Sequence, residues 1–249
     1  MWHVCFKIEP FDSPNSTSQM LDSLLQNPLE IVALVLFLAV WIGFSHAAVG
    51  RFSSKPTLTL LMNRQRETWM RTMAKRDLRM IDTSIMNGLQ QGTAFFASSA
   101  IFAIGGCFAL LGSSQQVLDV LNDLPANAPA RAVFEAKVLG LIAILAYAFF
   151  KFGWSYRLFN YCSILIGAVP ILSDKAADEA EVEAAILRAA KMNVLGGKHF
   201  NAGLRTIFFA LGYLGWFIGP WVFMGTTLFV LGVLIRRQFF SAARQSLLN

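Results

Sequence analysis

Four short stretches of this chain place chemistry-bearing side chains against otherwise apolar runs. His46 closes the first run, and Arg76, Asp77 and Asp82 precede the second. Lys151, Arg157 and Asn160 follow the third, and Lys198, His199, Asn201 and Arg205 lead into the last. Cationic and amide donors of this kind suit an anion, a phosphate or a lipid headgroup, because hydrogen bonds to charged oxygens are the strong ones. The plainer account is the basic rim that membrane proteins carry in general. Convergence decides between them: the set forms a site only if Arg76, Asp77, His199 and Arg205 surround one cleft. Lys151 also has a simpler explanation. It lies about 30 Å along a helix starting near Arg131, where a long side chain can snorkel to an interface marked by Trp154, Tyr156 and Tyr161.

Other chemistries find less support. His3, His46 and His199 form no HxxxH or HExxH pair, so no metal is expected. Ser98 and Ser99 lie in a stripe of small residues without a base, which argues against a serine nucleophile. Gly105-Gly106 is inside an apolar run and Gly196-Gly197 lacks a phosphate cradle, so no nucleotide cofactor is expected either. Cys5, Cys107 and Cys162 have no CxxC spacing and read as buried thiols. The sequence leans against an enzyme without deciding it.

The elements that must position these residues are membrane helices. Of the 249 residues 55% are hydrophobic and 14% charged, with a mean hydropathy of +0.53, against about 25% charged in soluble domains. The charges are also swept out of long apolar runs, as a bilayer requires. The expected fold is all-α, a four-helix transmembrane bundle with cytoplasmic amphipathic helices. Its spans are read at about 29–49, 88–112, 131–155 and 204–235, between an N-terminal tail (1–28) without a cleavable leader and a C-terminal tail (244–249). From Arg131 to about Pro170 the helical pattern is unbroken, about twice the hydrocarbon thickness, so it either projects from the membrane or turns back near Asn160. Residues 204–235 read as one span kinked at Gly219-Pro220, with a re-entrant hairpin as the alternative.

Charge then gives direction. The two long loops hold fifteen Lys and Arg against six elsewhere, which favours an inner-membrane protein with its N-terminus outside. Arg236, Arg237 and Arg244 disagree, because a single last span leaves them on the outer side. The net charge of +6 is explained by anionic headgroups and topology, with no need for nucleic acid. Met62–Met86 reads as one basic amphipathic helix in the headgroup layer. Arg76 and Asp77 flank its apolar stripe, where they need an ion-pair partner, a contact with the acidic 178–183 stretch, or an anion. Ser98, Gly105 and Gly112, and Gly212, Gly219 and Thr226, recur every seven residues. Such faces suit close helix packing within the bundle, or else a homo-oligomer or membrane-protein partner.

Three long stretches also resemble one family: Met62–Ser99, Phe152–Pro170 (FGWSYRLFNYCSILIGAVP) and Lys198–Pro220 (KHFNAGLRTIFFALGYLGWFIGP). They are similar to the membrane family catalogued as domain of unknown function 599, found mainly in proteobacteria, over roughly Leu29 to Ala243. Where that family's pattern has Arg before His-Phe-Asn, this chain has Lys198, which keeps the charge without the planar fork. The resemblance implies a four-helix inner-membrane protein and carries no activity. Three functions stay open: a non-catalytic structural or accessory protein, a small oligomeric transporter or channel, and a headgroup or anion binder or enzyme at the basic rim.

Overall fold

In the computed structural model, which describes residues 28–48, 56–122, 131–171 and 178–248, every regular element is helical. In chain order these are α1 (Pro28–Ala48), α2 (Leu58–Met73), α3 (Met80–Gly112), α4 (Ser114–Asn122), α5 (Arg131–Ala168), α6 (Glu179–Tyr213), a 3-10 turn (Leu214–Phe217), α7 (Pro220–Phe239) and α8 (Ala242–Gln245). Four are long and apolar enough to cross a membrane: Pro28–Ala48, Met80–Gly112, Arg131–Ala168 and Pro220–Gln245. Large apolar side chains on their outer faces, such as Phe95, Phe102, Phe150 and Phe229, are exposed, as expected where lipid is the solvent.

The bundle has two cores stacked along its axis. The first joins α1, α5, α6 and α7 through Phe37, Phe44, Val138, Leu141, Phe209, Tyr213, Trp216 and Phe223. The second lies beyond it, where Met70 and Met73 of α2 and Met86 of α3 pack on Phe159, Cys162 and Ile166 of α5 and on Val182, Ile186 and Ala189 of α6. The 38 residues of α5 and 35 of α6 reach more than 50 Å at about 1.5 Å per residue. They therefore serve both cores, and α5 projects without turning back at Asn160. Arg79 ends α5 by donating to Ile166 O (2.6 Å) and Pro170 O (3.2 Å), carbonyls a helix terminus leaves free.

Three expected elements differ. The helix read over Met62–Met86 is two helices, interrupted at residues 74–79. Its first part buries Leu61, Met70 and Met73 within the protein, and α2 runs antiparallel along α6, with Arg66 beside Asn193 and Arg71 bonded to Glu183 at 2.6 Å. The stretch after Gly112, between the second and third expected spans, begins with α4, where Ser114 Oγ donates to Glu135 (2.9 Å).

The third correction concerns 204–235. This run is a helical hairpin: α6 ends at Tyr213, the 3-10 turn follows, and Gly219 (φ 158°, ψ 165°) leads into Pro220 at the start of α7. The positive φ at Gly219 is one that a residue without a Cβ adopts freely. Proline is at home next to it because a first-turn N–H has no helical partner. The two arms lie antiparallel. Thr226 Oγ1 donates to Gly212 O at 2.7 Å, and Arg237 stacks on Phe208 at 5.2 Å. The turn reaches the start of α1, where Trp216 Nε1 donates to Glu30 and Lys137 Nζ contacts Glu30 (3.1 Å) and Trp216 O (3.0 Å). At the other end Gln238 donates to Ala48 O (3.2 Å) and Arg244 to Pro56 O (2.9 Å). The C-terminal arginines thus sit with the end of α1 and the start of α2.

Small residues act where the chain doubles back. A Cβ on Gly212 would lie 3.3 Å from Val230 Cγ2, and one on Gly215 3.2 Å from Val222 O. On the long α5–α6 seam, Gly196 and Gly203 receive the Phe159 and Phe152 rings, whose nearest carbons would stand 2.7 and 2.6 Å from an added methyl. The α3 stripe behaves differently. Ser98 is exposed, and Gly105 and Gly112 have open space around them, so this face does not pack within the bundle. Gly219 is a turn residue with nothing near it.

Candidate functional site

Polar groups from three helices meet where the two cores join. From α2, Thr59, Asn63 and Arg66 recur at steps of four and three, which puts them on one helix face. From α6, Asn201 and Arg205 do the same four residues apart, and Arg237 and Gln238 arrive at the end of α7. Together they line a cavity of about 240 Å³, whose remaining walls are apolar: Phe44, Leu58, Met62, Leu89, Phe200, Leu204, Phe208 and Leu234. A smaller cavity of about 110 Å³ shares Thr59, Asn63, Asn201 and Arg205 and adds Leu60 and Lys198.

Among the described residues, the lining of both cavities contains no carboxylate and no histidine. Arg66 donates to Asn193, stacks on Phe159 at 5.8 Å, and lies against Gly197, where a Cβ would come within 2.9 Å of the guanidinium carbon. Burial lowers its pKa, with a smaller opposing effect of Cys162. Its charge is thus placed where water compensates it poorly, beside a neutral amide. Arg205 has its Nε buried without a hydrogen-bond partner. Arg237 lines the cavity with its guanidinium carbon 5.2 Å from the centre of the Phe208 ring. Three guanidiniums around a small, half-apolar space attract an anion, and their planar forks suit carboxylate or phosphate oxygens.

The residues singled out from the sequence divide. Asn201 and Arg205 line both cavities, and Lys198 lines the smaller. The remainder lie elsewhere. Arg76 is paired with Asp82 at 2.6 Å, and Trp69 Nε1 donates to the same carboxylate oxygen at 2.7 Å. This is an internal ion pair at the first turn of α3, where the helix dipole also favours a carboxylate. Asp77 lines a separate cleft with Arg79, Pro170 and Ile171. His199 lies toward α5, 6.5 Å from Trp154, with its pKa lowered by burial and then by Lys151. Lys151 itself stacks on Tyr147 at 5.0 Å and Arg157 on Tyr161 at 5.5 Å. His46 is exposed at the end of α1 and Asn160 is half-buried on α5. Arg76 and Asp77, near the α2–α3 connection, and His199, beside Trp154, are thus not among the residues that line the two cavities Arg205 borders.

Thr59, Asn63, Arg66, Arg237 and Gln238 were not legible as site residues. The helical spacing of the first three was available as a signal. Arg237 was hidden by the single-span reading, which placed it at the opposite end.

Comparison with curated proteins and with solved structures brings up no match. A family model does match: "Protein of unknown function, DUF599" covers residues 32–243. That is most of the chain, from within α1 to beyond the α7 end of the cavity. This all-α protein, with four helices long and apolar enough to cross a membrane, belongs to the DUF599 family.

Proposed function

We propose that the protein is a non-catalytic membrane binder of a phosphate-bearing anion, held at the level of its basic rim. One observation carries this reading: Arg66, Arg205 and Arg237 line a single cavity that no acid lines among the described residues. The absence of histidine and carboxylate from the lining supports binding over acid–base chemistry, which needs a titratable group within reach of substrate. The volume, just below the usual range for small-molecule pockets of about 300–1,000 Å³, suits a headgroup or free phosphate better than a larger molecule. Apolar walls beside the guanidiniums favour a ligand with a hydrocarbon part.

The basic end is assigned to the cytoplasm and the N-terminus to the outside of the inner membrane. The hairpin supports this by bringing Arg236, Arg237 and Arg244 to the end that already carried the other basic loops. By sequence position, eighteen of the 21 Lys and Arg then belong there, which removes the one conflict with the positive-inside rule.

The test is ligand retention by the full chain in nanodiscs of mixed lipid, read by native mass spectrometry, alongside calorimetric titration with inorganic phosphate. Anionic phospholipid retained over phosphatidylcholine assigns a lipid source, and saturable phosphate binding alone assigns a soluble one. Arg205→Gln combined with Arg237→Gln should weaken either by about tenfold or more. Equal retention of anionic and zwitterionic lipid, with no saturable phosphate binding, overturns the proposal.

A further inference from the structure

We infer that the site takes a diphosphate, two linked phosphoryl groups, in preference to a single phosphate. This rests on the anion-binding reading above and adds the ligand's class. The cations are divided between two adjoining cavities. Arg66 and Arg237 line only the larger cavity, Lys198 only the smaller, and Arg205 lines both. Lys198 and Arg205 are seven residues apart on α6, so they share a face and are separated by about 10 Å along the axis. Asn201 lies between them, and Asn63 and Thr59 of α2 are common to the two cavities.

One phosphoryl group seated between Arg66 and Arg237 leaves Lys198 without a counter-charge. A second, linked group in the smaller cavity engages Lys198, with the Arg205 guanidinium between the two. Its several N–H donors can serve oxygens of both groups at once. The charge balance points the same way. Among the described residues four cations and no carboxylate line the two spaces, so a phosphodiester with one negative charge compensates them less well than a diphosphate. Leu58, Phe208 and Leu234 border only the larger cavity, which places any hydrocarbon tail on the α7 side, away from Lys198.

The experiment is calorimetric titration of the full chain in phosphatidylcholine nanodiscs with orthophosphate, inorganic pyrophosphate and farnesyl diphosphate. Pyrophosphate should bind at least about tenfold more tightly than orthophosphate, one added charge-assisted contact being worth that much. Lys198 is exposed, so Lys198→Ala should fold normally. It should abolish the preference for pyrophosphate over orthophosphate. Farnesyl diphosphate binding more tightly than pyrophosphate identifies a lipid diphosphate, and equal binding identifies a soluble one. Equal affinity for orthophosphate and pyrophosphate, or a preference that survives Lys198→Ala, overturns the inference and leaves the broader reading standing. No binding of any of the three, with no anionic lipid retained, overturns both.

Discussion

Replacing Gly215 by alanine tests the hairpin directly. The added methyl would lie 3.2 Å from Val222 O, 3.1 Å from Thr226 Cγ2, and closer still to Thr226 Oγ1. Neither neighbour is the free end of a flexible side chain: Val222 O is backbone, and Thr226 Oγ1 is held by its bonds to Gly212 O (2.7 Å) and Phe223 O (3.1 Å). Relief therefore requires the two arms to separate or the threonine to rotate. Overpacking costs about 1–3 kcal/mol and a lost buried hydrogen bond about 1 kcal/mol, so the expected loss is about 2–4 kcal/mol. Gly212→Ala meets Val230 Cγ2 at 3.3 Å and Thr226 O at 3.5 Å, contacts a small shift absorbs, and should cost less than about 1.5 kcal/mol. Gly105→Ala has open space and should be neutral, or stabilising by up to about 1 kcal/mol through helix propensity. SDS-driven unfolding in mixed micelles, followed by far-UV circular dichroism, ranks the three. If Gly215→Ala matches wild type, or if Gly105→Ala is the most damaging, the arms are not in contact and 204–235 is a single span after all.

Further expectations concern topology, the buried acid and one histidine. A fluorescent-protein fusion after Asn249 should glow and an alkaline phosphatase fusion there should be inactive, while an N-terminal reporter gives the opposite pair; matching results at both ends would refute the placement of the two termini on opposite sides. Asp82 is 0% exposed and Arg76 36%, so Arg76→Ala, which leaves a buried carboxylate without its cation, should destabilise by about 2–4 kcal/mol. Asp82→Asn should cost less, because the freed arginine reaches water; chemical unfolding of both variants checks the order. His199 has its pKa lowered by burial and then by Lys151. In the folded protein it should therefore stay neutral at pH values where an unfolded histidine, near 6.5, is half protonated. The unfolded chain then binds the proton more readily. The resulting stability is present above the unfolded pKa and declines as pH falls below it. Nitrogen chemical shifts of labelled histidine follow the titration, and Lys151→Ala should move the midpoint upward.

Much of this architecture was written in apolar run length. The spans at Pro28–Ala48 and Arg131–Ala168 and the end of α3 at Gly112 follow from uninterrupted hydrophobic stretches that only a bilayer or a buried helix accepts. The hairpin was less legible, because an apolar run of some thirty residues is too long for one pass and short for two, and Gly219-Pro220 permits either a kink or a turn. Charge held the deciding information: Arg236, Arg237 and Arg244 fit the positive-inside pattern only if the chain turns back. The small-residue stripes misled for a related reason. Spacing of seven identifies one helix face but not what covers it, so Gly212 faces Val230 while Gly105 faces open space. The cavity required knowledge of which helices pair. Asn201 and Arg205 were recognisable on α6, but Arg66 was one basic residue among eight in its loop until α2 was seen to run along Gly197.

The arm from Thr206 to Phe217 also has a consequence for how the protein is made. Its twelve residues fall short of the roughly 17–25 that a lone helix needs to remain in a bilayer, and Arg205 sits at its threshold. During synthesis this segment has no means of settling in lipid as it leaves the translocon. It must wait until Pro220–Phe239 has emerged, then enter with it as a pair. The topology of the last third of the chain is therefore decided late, in one step, by the final twenty-residue helix. A product cut short before Pro220 would strand Phe209, Tyr213 and Trp216 on the side where the ribosome left them. Cellular quality control would meet it as a misinserted chain, with no smaller working version of the protein inside it.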